Sequence, residues 1–414
     1  MPICSSSRIG SCHSRAVRIA VTGAHQALVG GAETYLSWLL RALVARGHEV
    51  AFGFERAAQD LERAVDRNVE PLTRWNIGGM QRSEFLAELI GFRPDIVFLQ
   101  AAADESLDFE LSRRFRSVLY AHAFYGTCAT GWKVHHLPTL QTCTRRFGSA
   151  CLAVNYLRGC GARNPVQLLR VYADQRARSK VLDRLAGLVV ASDYMRQVSI
   201  QNGFEERLVR VLPCVNVDPD PVPPQRRESP SRVLFLSRFT TGKGGVAAIQ
   251  AVARCQRSLG NRPLHLTMAG EGPELARCQR LAAKLGVAAE FPGWVDADRR
   301  MALFRETDVL IVPSLWPEPF GLVGIEAGAF GVPAVAFGTG GIVDWLRPGT
   351  NGELAEPYGT RSLALALERA LRDPQHHHRL QQGAWQTAHE FSGPRHVAGL
   401  EAFFRELLSP TSTA

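Results

Sequence analysis

The sequence predicts an α/β protein whose strands form parallel sheets, and three observations lead to this fold class. Short apolar runs at residues 308–312 and 333–337 are typical of buried strands. Between them lie a proline-containing loop and a predicted helix over residues 320–330, and the order strand, helix, strand is that of a parallel crossover. The chain has 414 residues, which is enough for two such domains of about 200 residues each.

The beginning of the chain repeats this pattern. A strand is predicted at residues 17–22, followed by Gly30-Gly31, a helix over residues 32–46 that ends at Gly47, and a strand at 48–52. Backbone amides at such a helix start suit a phosphate or another polar ligand. Further buried strands are predicted at residues 94–99, 117–122 and 185–192.

Two cations mark the loop after the first predicted strand of the second half. That strand covers residues 232–238 and ends at Arg238, and Lys243 stands where the next helix begins. The two side chains could clamp a diphosphate from two sides. The alternative is two solvated cations beside a loop.

Two carboxylates flank the start of the predicted helix over residues 320–330. Glu318 lies just before it, and Glu326 lies within an otherwise apolar helix, where a charge is costly without a partner. If all intervening residues were helical, the eight steps between them would span about 12 Å, on the order of a sugar–diphosphate–ribose chain. The alternative is a helix-start charge at Glu318 and a solvent-facing Glu326.

The segment Glu318-Pro-Phe-Gly-Leu-Val-Gly-Ile-Glu326 resembles the signature of the retaining, nucleotide-sugar-dependent glycosyltransferases of family 4. The resemblance implies the GT-B fold, in which two Rossmann-like, doubly wound α/β domains face each other across a cleft. It extends to Gly30-Gly31 and to Arg238 and Lys243, although Ser237 stands where the family has Gly and Asp344 stands where it generally has Glu.

The resemblance also implies roles for individual residues. The catalytic set would be His122, Glu318, Arg238 and Lys243, with Glu318 on the donor sugar and both cations on the leaving diphosphate. Glu326 would hold the ribose, and no cofactor or divalent metal is expected. The remaining donor-binding positions would be Gly30, Gly31, Gly270, Gly293, Phe320, Gly321 and Leu322. The alternatives are a nucleotide-sugar epimerase or hydrolase of the same fold, and a non-catalytic nucleotide-binding partner subunit.

The predicted organisation has five parts. Residues 17–215 form an acceptor domain and residues 231–392 a nucleotide-sugar-binding domain. A tail precedes them, a proline-rich linker joins them, and a helix that crosses back to the first domain follows. These three parts are residues 1–16, 216–230 and 393–414.

The net charge of +9 is concentrated in one half of the chain. Residues 1–215 carry +8 and the remainder +1, and residues 111–173 contain nine Lys or Arg and no acid. The stretch is either an Arg-rich surface by composition or a face for an anionic partner, a phospholipid surface or a pyrophosphate-linked acceptor. The hypothesis is a cytoplasmic protein that meets the inner face of the plasma membrane. No apolar run is long enough to span a bilayer, residues 1–15 lack the apolar core of a secretory signal, and nucleic acid is not an expected partner.

Four cysteines fall in the acid-free stretch, at Cys128, Cys143, Cys151 and Cys160. Their spacing is not the paired Cys-x-x-Cys of a zinc ribbon, so free structural thiols are predicted, and a metal site is the alternative. The run His376–His378 follows Pro374 and is predicted to be a solvated helix end without a metal.

Overall fold

The computed structural model describes residues 16–213, 221–226 and 228–409. The predicted N-terminal tail and the first part of the predicted linker lie outside the described residues, apart from Ala16. The chain divides into two compact units, residues 1–98 and 99–414.

The first unit is a parallel α/β arrangement with the strand order β3-β2-β1-β4. Strands β1, β2 and β3 pair in parallel, with Ile19 opposite Val50 and Phe52 opposite Arg74. Helix α1 buries Leu36, Leu39, Leu40 and Leu43 on one face, as its periodicity predicts. Gly47 follows the helix with a φ of +83°. The elements are β1 (Arg18–His25), α1 (Gly31–Ala45), β2 (Glu49–Arg56), β3 (Thr73–Asn76), α2 (Arg82–Phe92) and β4 (Ile96–Leu99).

The second unit begins with a short parallel sheet in the order β5-β8-β9. Between β5 and β8 the chain forms a small antiparallel hairpin, β6 with β7, and two helices. The elements are α3 (Glu105–Arg114), β5 (Ser117–Ala121), β6 (Val134–His135), β7 (Gln141–Thr142), α4 (Ala150–Arg158), α5 (Pro165–Leu182), β8 (Gly187–Val190), α6 (Asp193–Gln201) and β9 (Val209–Val211).

The same unit continues with a six-stranded parallel sheet in the order β12-β11-β10-β13-β14-β15. The chain runs outward from β10 in one direction and then returns to its other side with β13, so the strand order reverses between β10 and β13. The carboxyl ends of strands at such a reversal form the ligand crevice of open α/β folds. The strands are β10 (Arg232–Leu236), β11 (His265–Ala269), β12 (Ala288–Gly293), β13 (Val309–Val312), β14 (Ala334–Phe337) and β15 (Gly352–Ala355).

Helices cover this sheet, and apolar side chains of α7 and α11 form much of the core beneath it, with Val252 and Leu367 fully buried. A buried core of this kind supplies the main driving force for folding. The helices from β10 to the end of the described chain are α7 (Gly245–Ser258), α8 (Leu275–Leu285), α9 (Ala297–Glu306), α10 (Leu322–Gly328), α11 (Thr360–Arg372), α12 (Pro374–Glu390) and α13 (Gly393–Leu408), of which α13 lies on the sheet with β8 and β9.

The last helix, α13, packs on the sheet that contains β8 and β9. Phe403 lies so close to Gly187 that a Cβ there would come within 2.5 Å of the ring. Both oxygens of Glu406 accept from Arg210, each at 2.6 Å, and the Arg210 guanidinium lies over the Phe403 ring. Apolar packing and a two-pronged ion pair therefore hold the C-terminal helix against residues 187–210.

Two local predictions are wrong in detail. The helix predicted over residues 320–330 is shorter, Leu322–Gly328, because Gly321 takes a left-handed conformation with φ +82° and starts the helix two residues later. His377 is fully buried, and its Nδ1 lies 3.0 Å from the Ala370 carbonyl, so the histidine run is not simply a solvated helix end. Its position on α12 faces α11, a contact that sequence spacing did not reveal.

In the part of the chain that the structure describes, no helix is long and apolar enough to cross a membrane.

Candidate active site

The loops that follow β10 and β13 lie against each other. The Leu315 amide donates to the Gly242 carbonyl at 2.7 Å. Gly244 has a φ of +73°, and a Cβ there would lie 1.9 Å from the Pro313 carbonyl oxygen, so no larger residue fits. The reversal of strand order thus brings residues 237–244 and 313–321, far apart in sequence, to one edge of the sheet.

Lys243 and Glu318 meet at this edge. The Lys243 Nζ lies 2.7 Å from the Glu318 Oε1, and the Ser314 hydroxyl donates to the same oxygen. The Glu318 side chain is 7% exposed and that of Lys243 24%. A charge-assisted hydrogen bond in so enclosed a place is strong, so each side chain fixes the other. Glu318 is therefore neither solvated nor a simple helix-start charge.

A glycine-rich turn at residues 338–342 fixes the backbone of Glu318. The Gly341 amide donates to the Glu318 carbonyl at 2.7 Å, and Gly340 forms a parallel bridge with Glu318. Gly340 has a φ of +61°, and a Cβ there would lie 2.2 Å from the Glu318 carbonyl oxygen. The Thr339 hydroxyl donates to the Ser314 carbonyl at 3.2 Å. The turn therefore positions the carboxylate.

Glu326 is buried on α10, and its partner is Arg300 on α9. The two charged groups are 3.7 Å apart. Burial raises the pKa of Glu326, and the nearby guanidinium offsets this only in part. The sequence predicted that a charge in this apolar helix needs a partner, but Arg300 carried no signal that identified it.

Arg238 follows β10 and is exposed, and it makes no ion pair with the residues that the structure describes. Its loop lies against the turn at Gly270, where φ is +130° and a Cβ would lie 2.0 Å from the Ser237 carbonyl oxygen. The Gly270 amide donates to the Gly293 carbonyl at 2.7 Å, which ties in the end of β12. Gly270 and Gly293 thus shape the crevice beside Arg238 through their backbones.

Phe320, Gly321 and Leu322 form the turn into α10. The Phe320 side chain is 2% exposed and packs on Phe391, and its carbonyl accepts from the Trp345 indole at 2.7 Å. The aromatic ring is therefore part of the core, and a ligand can meet this turn only through its backbone or through Leu322.

His122 follows β5, and its Nε2 lies 2.9 Å from the Gln100 Oε1. Part of the His122 side chain is open to solvent, but the protein atoms packed around the ring lower its pKa to about 4, and His396 adds to the effect. The ring is therefore neutral near pH 7, and its Nε2–H donates to the Gln100 carbonyl oxygen. The side-chain nitrogen of Gln100 is buried without a hydrogen-bond acceptor in the described chain.

An aromatic cluster lies beside Lys243, and sequence reasoning missed it. The Lys243 Nζ is 5.0 Å from the centre of the Trp316 ring, which meets Trp132 at 5.8 Å and Phe124 at 6.2 Å. The Trp316 indole N–H is buried with no acceptor among the described residues. A buried N–H without an acceptor can donate a hydrogen bond to an oxygen atom of a bound ligand. The signal available in the sequence was Trp316 itself, two residues before Glu318.

The cysteine segment, residues 128–160, supplies Trp132 to this cluster. Its four cysteines are free thiols, and no three His, Cys, Asp or Glu side chains of the described chain are arranged to hold a metal ion. Cys160 lies 3.2 Å from the His135 Nδ1, and burial raises the pKa of Cys160 to about 11. Lys133 is 1% exposed and donates to the Arg145 carbonyl at 2.9 Å. Burial therefore favours the protonated thiol at Cys143 and Cys160.

Gly30 and Gly31 begin α1 in the first unit. Gly30 precedes the helix in extended conformation, and its carbonyl accepts from both the amide and the hydroxyl of Thr34 at 3.0 Å. The strand, glycine turn and helix start predicted from the sequence are all present there.

A cavity of about 300 Å³ lies elsewhere, beside α5 and α6, and Arg146, Arg176 and Asn202 are among the residues that line it. None of the predicted site residues contributes to it.

Two family models together match most of the chain. The model described as Glycosyltransferase Family 4 matches residues 29–218, and the model of glycosyl transferases group 1 matches residues 218–387. The two matches meet at residue 218, within the predicted linker.

Curated relatives match over different lengths. A D-inositol 3-phosphate glycosyltransferase of Thermobispora bispora is 26% identical and aligns over 92% of this chain and 90% of its own. A 2-deoxystreptamine glucosyltransferase of Streptomyces kanamyceticus is 30% identical over 53% of this chain and 60% of its own. An uncharacterized glycosyltransferase of Methanocaldococcus jannaschii is 33% identical over 34% of this chain, and the chain spans about a third (36%) of that relative's length.

Solved structures match nearly the whole chain in shape. HepE of Anabaena, solved with UDP and glucose, superposes with a TM-score of 0.67 at 18% identity, covering 94% of this chain and 99% of its own. A glycosyltransferase of Rickettsia africae gives a TM-score of 0.69 at 17% identity over 96% of this chain and 100% of its own. These likenesses establish the architecture, which confirms the predicted fold class. The chain belongs to the family 4, group 1 glycosyltransferases and has the GT-B fold.

Proposed function

We propose that this protein transfers a sugar from a nucleoside diphosphate sugar to an acceptor with retention of the anomeric configuration. The observation that carries the proposal is the Lys243–Glu318 pair at the reversal of strand order, 2.7 Å apart, with the exposed Arg238 on the loop that leads to Lys243. A loop edge with two cations and one enclosed carboxylate suits a donor that is anionic at its diphosphate and hydroxylated at its sugar.

In this mechanism the cations act on the leaving group. Negative charge builds on the diphosphate as the glycosidic bond breaks, and Lys243 and Arg238 stabilise that charge. Lys243 is already held by Glu318 and lies over Trp316, so little reorganisation accompanies the reaction. The proposal assigns charge neutralisation to these side chains and expects no divalent metal.

The carboxylates and His122 orient the donor. Glu318 accepts hydrogen bonds from donor-sugar hydroxyls through the oxygen that Lys243 does not occupy. Glu326 binds the ribose hydroxyls, for which its partial pairing with Arg300 at 3.7 Å leaves acceptor capacity. His122 contacts the donor sugar as a neutral ring, and the hydrogen bond with Gln100 holds that ring in place. Exclusion of water from the loaded site limits donor hydrolysis.

A uridine nucleotide is the first donor class to assay, because the HepE structures contain UDP and UDP-glucose. For the acceptor we propose a lipid-linked or surface-glycoconjugate intermediate at the cytoplasmic face of the membrane. The acid-free stretch with nine Lys or Arg supports an anionic acceptor or surface. Relatives named for D-inositol 3-phosphate and 2-deoxystreptamine make a small polyhydroxylated ring the second acceptor class to test.

The test is a donor screen that measures nucleoside diphosphate release with and without polyprenyl-linked acceptors. Acceptor-dependent release with a new glycosidic product supports transfer, and the configuration of that product decides retention. Release without any acceptor, or a new sugar nucleotide, would point to the hydrolase or epimerase alternative instead. Nucleotide binding with no product from any donor would indicate a non-catalytic subunit.

A further inference from the structure

Two consecutive helices present large apolar side chains to solvent. On α4, Tyr156 is 50% and Leu157 74% exposed, and on α5 Val166 is 75% and Leu169 55% exposed. Fifteen large apolar side chains are exposed among the described residues, and five of them, these four and Leu137, fall within 33 consecutive residues. Single exposed apolar residues are ordinary, but such a concentration marks an interaction surface.

The segments that carry these five side chains are tied together by local contacts. Gly159 ends α4 with a φ of +61°, and a Cβ there would lie 3.3 Å from the Leu137 Cγ. The Leu137 amide donates to the Arg158 carbonyl at 3.0 Å. The Asn155 side chain donates to the Ala162 carbonyl at 2.9 Å and so ties α4 to the turn that leads into α5. We call Leu137, Tyr156, Leu157, Val166 and Leu169 the apolar knuckle.

Helical spacing explains why these residues are exposed together. On α5, Val166 and Leu169 are three residues apart, and Arg170 extends the same stripe, while Leu168 points the other way and is 3% exposed. The buried face of α5 packs on α3. The exposed face of α5 is therefore distinct from the face that packs on α3.

The charged residues within the segment that carries the apolar knuckle, residues 137–170, are all basic. Arg158, Arg163 and Arg170 are exposed, and none of them pairs with an acid in the described parts of the chain. No acid occurs anywhere from Leu111 to Ala173. An apolar patch rimmed by unpaired cations is complementary to a surface that is anionic at its boundary and apolar beneath. The long Arg side chains can reach headgroups while apolar neighbours go deeper.

We propose that the apolar knuckle docks this protein on a bilayer that contains anionic lipid. Its side chains enter the boundary between headgroups and acyl chains, and the three arginines bind lipid phosphates. The inference rests on the proposed function in one respect, because a lipid-linked acceptor would require the protein to act at a membrane. Docking itself follows from the exposed residues and their charge.

The experiment measures binding of the full chain to sedimented vesicles of phosphatidylcholine alone and of phosphatidylcholine with phosphatidylglycerol, at low and high salt. An apolar variant combines Leu157→Ser, Val166→Ser and Leu169→Ser, and a charge variant combines Arg158→Gln, Arg163→Gln and Arg170→Gln. The matched controls are Leu365→Ser on α11, where the side chain is 48% exposed, and Arg254→Gln with Arg257→Gln on α7.

We expect the wild-type chain and the controls to bind phosphatidylglycerol vesicles and to bind pure phosphatidylcholine at least about tenfold more weakly. The apolar variant should lose about tenfold or more in partition coefficient at both salt concentrations. The charge variant should lose about fivefold per arginine at low salt, since each cation near an anionic surface contributes about 1 kcal/mol.

Three results would overturn the proposal. The first is wild-type binding that does not depend on phosphatidylglycerol, and the second is equal binding by the apolar variant and the Leu365→Ser control. The third is a wild-type dimer in sedimentation velocity that the apolar variant converts to a monomer without any vesicle binding, which would make the apolar knuckle an interface between two copies. The Kd for UDP, measured by calorimetry in vesicle-free buffer, separates docking from donor binding, because the docking variants should leave that Kd unchanged even if docking fails.

Discussion

The Lys243–Glu318 pair gives the sharpest prediction, because its structural and catalytic contributions can be measured separately. Lys243→Ala removes the cation that lies 2.7 Å from the Glu318 carboxylate, which is 7% exposed in the wild-type chain, and leaves the Ser314 hydroxyl as its one side-chain donor among the described residues. Breaking a fully buried ion pair costs about 3–5 kcal/mol. Lys243 keeps about a quarter of its side chain exposed, so we expect a loss of about 2 kcal/mol in the free energy of unfolding.

The catalytic effect should exceed the structural one. A fixed donor aimed at developing negative charge contributes roughly 10²–10³-fold in rate, so Lys243→Ala should lower kcat by about that factor at saturating donor. The double variant Lys243→Ala with Glu318→Gln removes the unpaired charge and should recover most of the lost stability. It should not recover the rate, because the cation is still absent.

Urea unfolding and nucleotide release are measured for the wild-type chain, for the single variants Lys243→Ala and Glu318→Gln, and for the double variant. Lys284→Ala is the control, since Lys284 is an exposed lysine near the end of α8 with no role in the proposed site. Near-normal turnover by folded Lys243→Ala protein would refute the assigned role. So would a double variant that regains activity together with stability, because the pair would then be purely structural.

Three further predictions concern single residues near the site. Burial raises the pKa of Glu326, so the contribution of this carboxyl to stability is greatest below its unfolded-state pKa and falls as the pH rises through its folded-state pKa. The melting temperature of Glu326→Gln should therefore rise relative to that of the wild type between pH 4 and 7. The Kd of Glu326→Gln for UDP, measured by calorimetry, should rise about tenfold. A difference in melting temperature between Glu326→Gln and wild type that stays constant over this pH range would show that the Glu326 carboxyl ionises in the folded protein without loss of stability. Gly324→Ala places a Cβ 2.0 Å from the Trp345 ring and should lower the free energy of unfolding by about 1–3 kcal/mol in urea, whereas Gly148→Ala, with open space around it, should not. His122 should show no imidazole titration between pH 5.5 and 8 by NMR, since its pKa is lowered to about 4, and a midpoint near 6.5 would contradict the enclosed, neutral ring.

Much of the site was accessible from local sequence. Glu318, Arg238 and Lys243 were identified because each stands at a strand end or a helix start, where open α/β folds bind ligands, and Glu326 because it is a charge within an apolar helix. The glycine turns at Gly270 and at residues 338–342 were also predicted from the sequence, and both contain a glycine with a positive φ angle. The helix boundary after Gly321 was placed less well, because periodicity alone does not reveal where a left-handed residue begins the first turn.

Other parts of the site had no local signal. Arg300 pairs with Glu326, the Trp132 ring packs on the Trp316 ring, and Gln100 forms a hydrogen bond with His122. The residues of each pair are far apart in sequence. His377 was expected in solvent and is buried, because α12 turns that face toward α11. Each of these contacts depends on how two elements pack together, and the pattern along one element does not specify its neighbour.

The sequence by itself determined the α/β class, the strand ends that carry charge, the excess of arginine in the first half and the family. Tertiary structure alone decided that Lys243 and Glu318 form one ion pair, that an aromatic cluster stands beside them, and that α4 and α5 leave an apolar face uncovered. The reason is physical. Burial periodicity and turn chemistry are properties of short segments, whereas the placement of β13 beside β10, with two strands between them in sequence, comes from packing the whole sheet against its helices.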